Sequence, residues 1–200
     1  MTVKRAVFII LTMLTFALFF SSIIRGVFTE KEMGRKHTLQ EGEYEVGKDI
    51  PQGVYDFEVS GNLIIQSKSF YNGSHFKAMP LTKGEVIYIE GEGTLHIEPA
   101  QNEILQLCNN QQYVIDDSGY YQVGKQISPG QYFLTYESNG NHEHIPFVQT
   151  IDNDSNVLET YYLDEQKKQI DIELEENTVL QVEKTMMEEV PELKVVLQKQ

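Results

Sequence analysis

The chain has 200 residues, 40% of them hydrophobic, and sets 16 Lys and Arg against 30 Asp and Glu for a formal net charge of −14. Six basic and two acidic residues precede His37, so the remainder carries −18. A body that acidic repels phosphate backbones and lacks a basic stripe, which excludes nucleic acid as a partner.

Lys4 and Arg5 open the chain and are followed by nineteen uncharged residues, from Ala6 to Ile24, closed by Arg25. As a helix rising about 1.5 Å per residue, residues 6–24 match a bilayer core of roughly 30 Å, so residues 1–25 read as a membrane anchor in contact with lipid. A cleavable signal has a shorter apolar run, about 7–15 residues, and an A-x-A-like site. None follows here, so an uncleaved signal-anchor is expected, with secretion after cleavage as the alternative. The short basic start ahead of a large body places that body outside the cell. A plain count of Arg25, Lys31, Arg35 and Lys36 against Lys4 and Arg5 leans towards a cytoplasm-facing, tethered regulator. Residues 26–41 are mostly polar and read as a stalk.

From Gly42 the texture becomes short alternating runs between Gly, Asn and Asp, the pattern of strands joined by turns. One stretch occurs twice: Y-E-V-G-K-D-I-P-Q-G-V-Y at 44–55 and Y-Q-V-G-K-Q-I-S-P-G-Q-Y at 121–132, at a constant offset of 77. In the first copy Tyr44 and Val46 begin a strand, Ile50 tucks into the core, and Tyr55, Phe57 and Val59 share the buried face of the next. S-G-N at 60–62 reads as a hairpin turn, Asn72-Gly73 as another, and G-E-G at 91–93 as an interruption between Val86–Ile89 and Leu95–Ile97. In the second copy Tyr132, Leu134 and Tyr136 supply the alternating face. The closing run V-L-Q-V at 179–182 answers V-I-Y-I at 86–89 with a separation of 93, so about sixteen residues are inserted between Gly140 and Ile172. The insertion reads as a hairpin of F-V-Q-T-I and V-L-E-T-Y-Y-L around D-N-D-S-N.

The fold class expected is all-β: two related β-sandwich-like units, or one pseudo-symmetric sandwich, behind the transmembrane helix. The first unit spans 42–99, a packed connector 100–118, the second unit with its hairpin 119–191, and a tail 192–200. In the stretch from Thr185, Met186, Met187 and Val190 fit a helical turn, and L-K-V-V-L fits a strand. The lone Cys108 excludes an intramolecular disulfide and a thiolate zinc site, and in I-L-Q-L-C it reads as a small buried hydrophobe.

Val46, Gly47, Asp49, Ile50, Pro51, Gly53 and Tyr55 form a V-G-x-D-I-P-x-G-x-Y pattern. It resembles the recurring unit of uncharacterised secreted or membrane-anchored proteins of Gram-positive bacteria. The second copy keeps Val123, Gly124, Ile127, Gly130 and Tyr132, has Gln126 in place of the Asp, and shifts its proline to Pro129. The resemblance implies an all-β fold at the cell envelope and carries over no catalytic residue.

No G-x-S-x-G, H-E-x-x-H, phosphate loop or dinucleotide fingerprint is present, so no catalytic residue and no cofactor are expected. The weak metal candidates are His142 and His144, which share one side of an extended N-H-E-H segment, and Asp152 and Asp154, which alternate as the first ligands of a calcium loop do. That loop then has Val157 and Leu163 where an EF-hand needs Gly and Glu. Tyr120, Tyr161 and Tyr162 lie outside the shared motif and are the weak candidates for an interaction surface. The function read from these features is a non-enzymatic binding or accessory module of the cell envelope, with another envelope protein or a cell-wall component as partner. The alternative is a metal-dependent hydrolase using His142, Glu143 and His144.

Overall fold

The structure, a computed structural model, describes residues 35–108, 111–138, 144–164, 166–190 and 192–200. The anchor segment 6–24 and most of the stalk lie outside them, and no helix among the described residues is long and apolar enough to cross a membrane. What is described is all-β. The first half supplies β1 (His37–Leu39), β2 (Gly42–Glu45), β3 (Gly53–Ile65), β4 (Lys68–Phe70), β5 (His75–Leu81) and β6 (Val86–Pro99). The second supplies β7 (Gln112–Ile115), β8 (Ser118–Gln122), β9 (Gly130–Glu137), β10 (Phe147–Ile151), β11 (Val157–Tyr161), β12 (Gln169–Leu174), β13 (Val179–Glu183) and β14 (Lys194–Lys199). Hydrogen bonding gives two sheets. One follows β1-β6-β3-β5-β8-β13-β10-β11, with β2 also on β6 and β4 also on β3; the other follows β12-β9-β14-β7.

The repeated motif is one local device built twice. Val46 bridges Ile50 and Val123 bridges Ile127, and the following glycine N–H donates to the isoleucine carbonyl in each, at 2.6 Å for Gly47 and 2.8 Å for Gly124. Both glycines hold φ near +90°, a backbone that side chains disfavour. The turn is capped by a side-chain oxygen four residues on: Asp49 Oδ2 accepts from Glu45 N–H at 2.9 Å, and Gln126 Oε1 accepts from Gln122 N–H at 3.0 Å. A carboxylate and an amide perform the same task because both offer an sp² oxygen. Each motif tyrosine donates its hydroxyl proton to a carbonyl four residues back: Tyr44 to Gln40, Tyr121 to Asp117, Tyr55 to Pro51 and Tyr132 to Ser128. Ile50, Ile127, Tyr55 and Tyr132 are fully buried, in two separate apolar cores.

Strand pairing repeats as well. β2 pairs the start of β6 as β8 pairs β13, and Gly42↔Ile89 corresponds to Gly119↔Val182. The end of β6 pairs β3 as β14 pairs β9, with Tyr55↔Pro99 matching Tyr132↔Lys199. The long strands β3 and β6 are therefore each split in the second half, into β9 with β10 and β13 with β14. Residues 192–200, read as a tail, contain β14, a central strand paired on both sides.

Two sequence expectations fail at the same place. S-G-N and G-E-G do not end strands: β3 and β6 run through them, with Gly61 opposite Gly93 and Leu63 opposite Gly91. A Cβ at Gly61 would lie 2.5 Å from the Glu92 carbonyl oxygen, one at Gly91 2.5 Å from that of Asn62, and one at Gly93 2.3 Å from that of Ser60. These glycines let the two backbones approach closely, which is a different use of glycine from a turn. Cys108 is exposed, contrary to expectation, because residues 101–107 form no strand and leave Ile104 and Leu107 in solvent.

The halves join where β5 and β8 run parallel, Phe76 opposite Ser118 and Lys77 opposite Gly119. Gly119 is needed there, since a Cβ would sit 2.5 Å from the Lys77 carbonyl oxygen. Tyr120 crosses the joint to pack on Phe76, with ring centroids 5.9 Å apart. In the first half the equivalent position is Glu43, flanked by Glu41 and Glu45, so the corresponding edge of β2 is charged rather than sticky.

Candidate functional site

The insertion is a hairpin, as its sequence predicts: β10 and β11 pair antiparallel around residues 152–156. β10 is integral to the fold, with Val148 and Ile151 buried against β13. β11 is the terminal strand of the larger sheet. Its exposed side chains are Val157, Leu158 and Glu159; Val157 and Leu158 are 50% and 52% exposed, and Tyr162 just beyond it is 69% exposed. The turn is held by Asp152, whose Oδ1 accepts from the Asp154 and Asn156 N–H groups while Oδ2 accepts from the Asn156 amide. Those bonds from Asn156 hold its carboxyl below the usual range.

A second constellation lies inside the joint. Lys68 Nζ is 3.0 Å from Glu189 Oε2 and 3.4 Å from Glu183 Oε2, and it lies over the rings of Phe70 and Phe76. Ser118 Oγ sits 2.8 Å from both Glu189 oxygens and accepts from Lys184 N–H at 3.0 Å, while Lys184 Nζ lies 3.9 Å from Glu189 Oε1. Gln181 donates to Glu183 and accepts from Gln149. All four ionic side chains are buried, two of each sign. Burial pushes the Glu183 carboxyl up, opposed by Lys68, and burial pulls the Lys184 ammonium down, opposed by Glu189. The cluster is sealed from solvent and internally paired. Its chemistry is that of a lock between the halves.

No family model, no curated protein and no solved structure matches the chain.

The predicted site residues scatter. Tyr120 and Tyr161 are 1% and 4% exposed and cannot form an interaction surface: Tyr120 is spent on the joint, and the Tyr161 hydroxyl lies 3.3 Å from Thr150 Oγ1. Only Tyr162 faces solvent, four residues beyond the exposed Leu158 and of the same strand parity. His142 and Glu143 lie outside the described residues. His144 Nε2 is 3.3 Å from Glu188 Oε1, which ties it to the loop before β14. Asp154 contributes its backbone N–H to the turn, and no cluster of three or more metal-ligating side chains occurs among the described residues. Sequence reasoning passed over Lys68, Glu183, Lys184 and Glu189. The one available signal was Glu183-Lys184, a charged pair closing the apolar run Val179–Val182.

Proposed function

We propose that the chain is a non-enzymatic binding or accessory module displayed at the cell envelope. Residues 6–24 anchor it in lipid, and two related β-sandwich-like units carry the β10–β11 hairpin outwards. The observation that carries this reading is the character of β11. It is an end strand that exposes Val157 and Leu158 beside a single carboxylate, Glu159, with Tyr162 exposed just beyond it, whereas β2 presents Glu43 and Glu45 and β12 presents Asp171 and Glu173. Proteins guard sheet edges with charge, so an edge that exposes two aliphatic side chains and a tyrosine in an otherwise acidic body marks a place of contact. The resemblance of V-G-x-D-I-P-x-G-x-Y to secreted and membrane-anchored Gram-positive proteins supports the location.

The test is cross-linking in intact cells followed by recovery of the full chain, comparing wild type with Leu158→Glu/Tyr162→Glu. Both side chains are exposed, so the variant leaves the core intact. Loss of the partner bands from the variant is expected; unchanged bands would place the surface elsewhere.

A further inference from the structure

The first half of the chain already holds an extended guest on the strand that corresponds to β11. Ser69, in the middle of β4, bridges Glu188 in the parallel sense: Ser69 N–H donates to the Met187 carbonyl at 2.9 Å, and Glu189 N–H donates to the Ser69 carbonyl at 2.8 Å. Residues 187–189 come from the second half, so this is strand addition within one chain.

Register fixes the equivalent position on β11. Ile65 pairs Ile89, and Val148 pairs Val182, the residue 93 positions after Ile89; Ile65 also pairs Lys68, and Val148 pairs Tyr161. Lys68, Ser69 and Phe70 therefore correspond to Tyr161, Tyr162 and Leu163. The burial pattern agrees, since Lys68 and Phe70 are buried about a half-buried Ser69, as Tyr161 and Leu163 are buried about an exposed Tyr162. The edge at Ser69 is filled, whereas Tyr162 has no backbone partner among the described residues.

The two hosts differ in charge. In the first half Glu189 of the guest reaches Lys68, and Glu188 of the guest accepts from the Tyr71 hydroxyl at 3.0 Å. In the second half the place of Lys68 is taken by the uncharged Tyr161, and the place of Tyr71 by Asp164. An acidic guest loses both partners there and meets a carboxylate. The remaining charge on β11 is Glu159, and Asp152 and Asp154 sit at the hairpin turn, while Lys167 and Lys168 follow only later in the connection to β12.

We propose that the edge at Tyr162 takes an extended peptide segment of a partner, bonded to the Tyr162 backbone as residues 187–189 are bonded to Ser69. Its apolar side chains seat on Leu158 and Tyr162 and a basic side chain faces Asp164. This rests on the reading of the hairpin as the partner surface and specifies the partner's chemistry.

The probes are two nine-residue synthetic peptides with Thr at the odd positions and Val at positions 2, 4 and 6, one carrying Lys and the other Glu at position 8, so that one strand face presents three Val and then the charge. Each carries a fluorophore and a central benzophenone and is titrated against the full chain in detergent micelles at low salt. The Val-Lys peptide binds and cross-links within residues 157–164, and the Val-Glu peptide binds at least about tenfold more weakly. Asp164→Asn keeps the oxygen that accepts from Gln166 and Lys167 N–H while removing the charge, and lowers the affinity roughly two- to fivefold. Tyr162→Pro removes the backbone donor and abolishes the cross-link; should it unfold the chain, Asp164→Asn still decides. No binding by the Val-Lys peptide, equal binding by the Val-Glu peptide, or cross-links outside 157–164 overturns the proposal. The broader reading fails separately, when Leu158→Glu/Tyr162→Glu retains its partners in cells.

Discussion

Replacing Lys68 with Met at the joint tests how the two halves are held. The methionine fills the space beneath Phe70 and Phe76 but leaves Glu183 and Glu189 without the ammonium 3.4 and 3.0 Å away. Breaking a buried pair from one side costs about 3–5 kcal/mol. The lower end applies, because Glu183 keeps the Gln181 amide and Glu189 keeps Ser118 and, at 3.9 Å, Lys184. A loss of about 3 kcal/mol is a large share of a typical stability of about 5–15 kcal/mol, and with a urea slope of about 2 kcal/mol/M it lowers the midpoint by roughly 1.5 M. The loss depends on pH. Burial raises the folded pKa of Glu183 above its unfolded value, so the folded chain binds more protons between the two values, and this group's contribution falls as pH rises through that interval. Lys68 opposes the shift in the wild type, so in Lys68→Met the folded value climbs further and the interval widens. The deficit of the variant is thus expected to shrink as pH is lowered from about 8 to about 5, and adding Glu183→Gln and Glu189→Gln should recover most of it. Urea titrations across that range read both effects. A deficit under about 1 kcal/mol, or one independent of pH, would refute the reasoning.

Three further expectations follow from the repeated device and its exceptions. Gly93→Ala places a Cβ 2.3 Å from the Ser60 carbonyl oxygen and should cost about 2–3 kcal/mol in a thermal melt, whereas Gly73→Ala meets nothing within 4 Å and should cost about 1 kcal/mol for its positive φ alone. Asp49→Asn should be nearly silent and Asp49→Ala should lose about 1 kcal/mol, because the position supplies one acceptor to a turn N–H, whereas Gln126→Ala should lose more, about 2 kcal/mol, because the buried Gln126 also donates to the Glu103 carbonyl. Cys108 is exposed, so in the folded chain it should react with a thiol reagent as fast as in urea; a protected thiol would show that residues 101–108 pack differently.

The features legible in the sequence were those that a local rule writes into neighbouring residues. Val46, Gly47 and Ile50 specify a turn whose bonds close within six residues, and Tyr132 and Leu134 alternate because a strand has two faces. The hairpin at β10 and β11 was legible from D-N-D-S-N between two apolar runs. What was not legible depends on residues far apart in the chain. Gly61 and Gly93 look like turn glycines until they are seen opposite each other, and Tyr120 looks like a spare aromatic until Phe76 lies beneath it. Lys68 and Glu189, separated by more than half the chain, carry no sequence mark of their pairing. Of the candidate surface the sequence marks the inserted hairpin and, within it, Tyr162, while the exposure of Val157 and Leu158 follows from β11 being last in its sheet.

The central claim is that the chain meets its partners along β11, and site-specific photo-cross-linking in intact cells tests it most directly. A photoreactive side chain placed at Leu158 or Tyr162, both exposed, should trap a discrete partner, and one placed at Glu43 on the acidic edge of β2 should not. Trapping at Glu43 with none at Leu158 or Tyr162 would contradict the account.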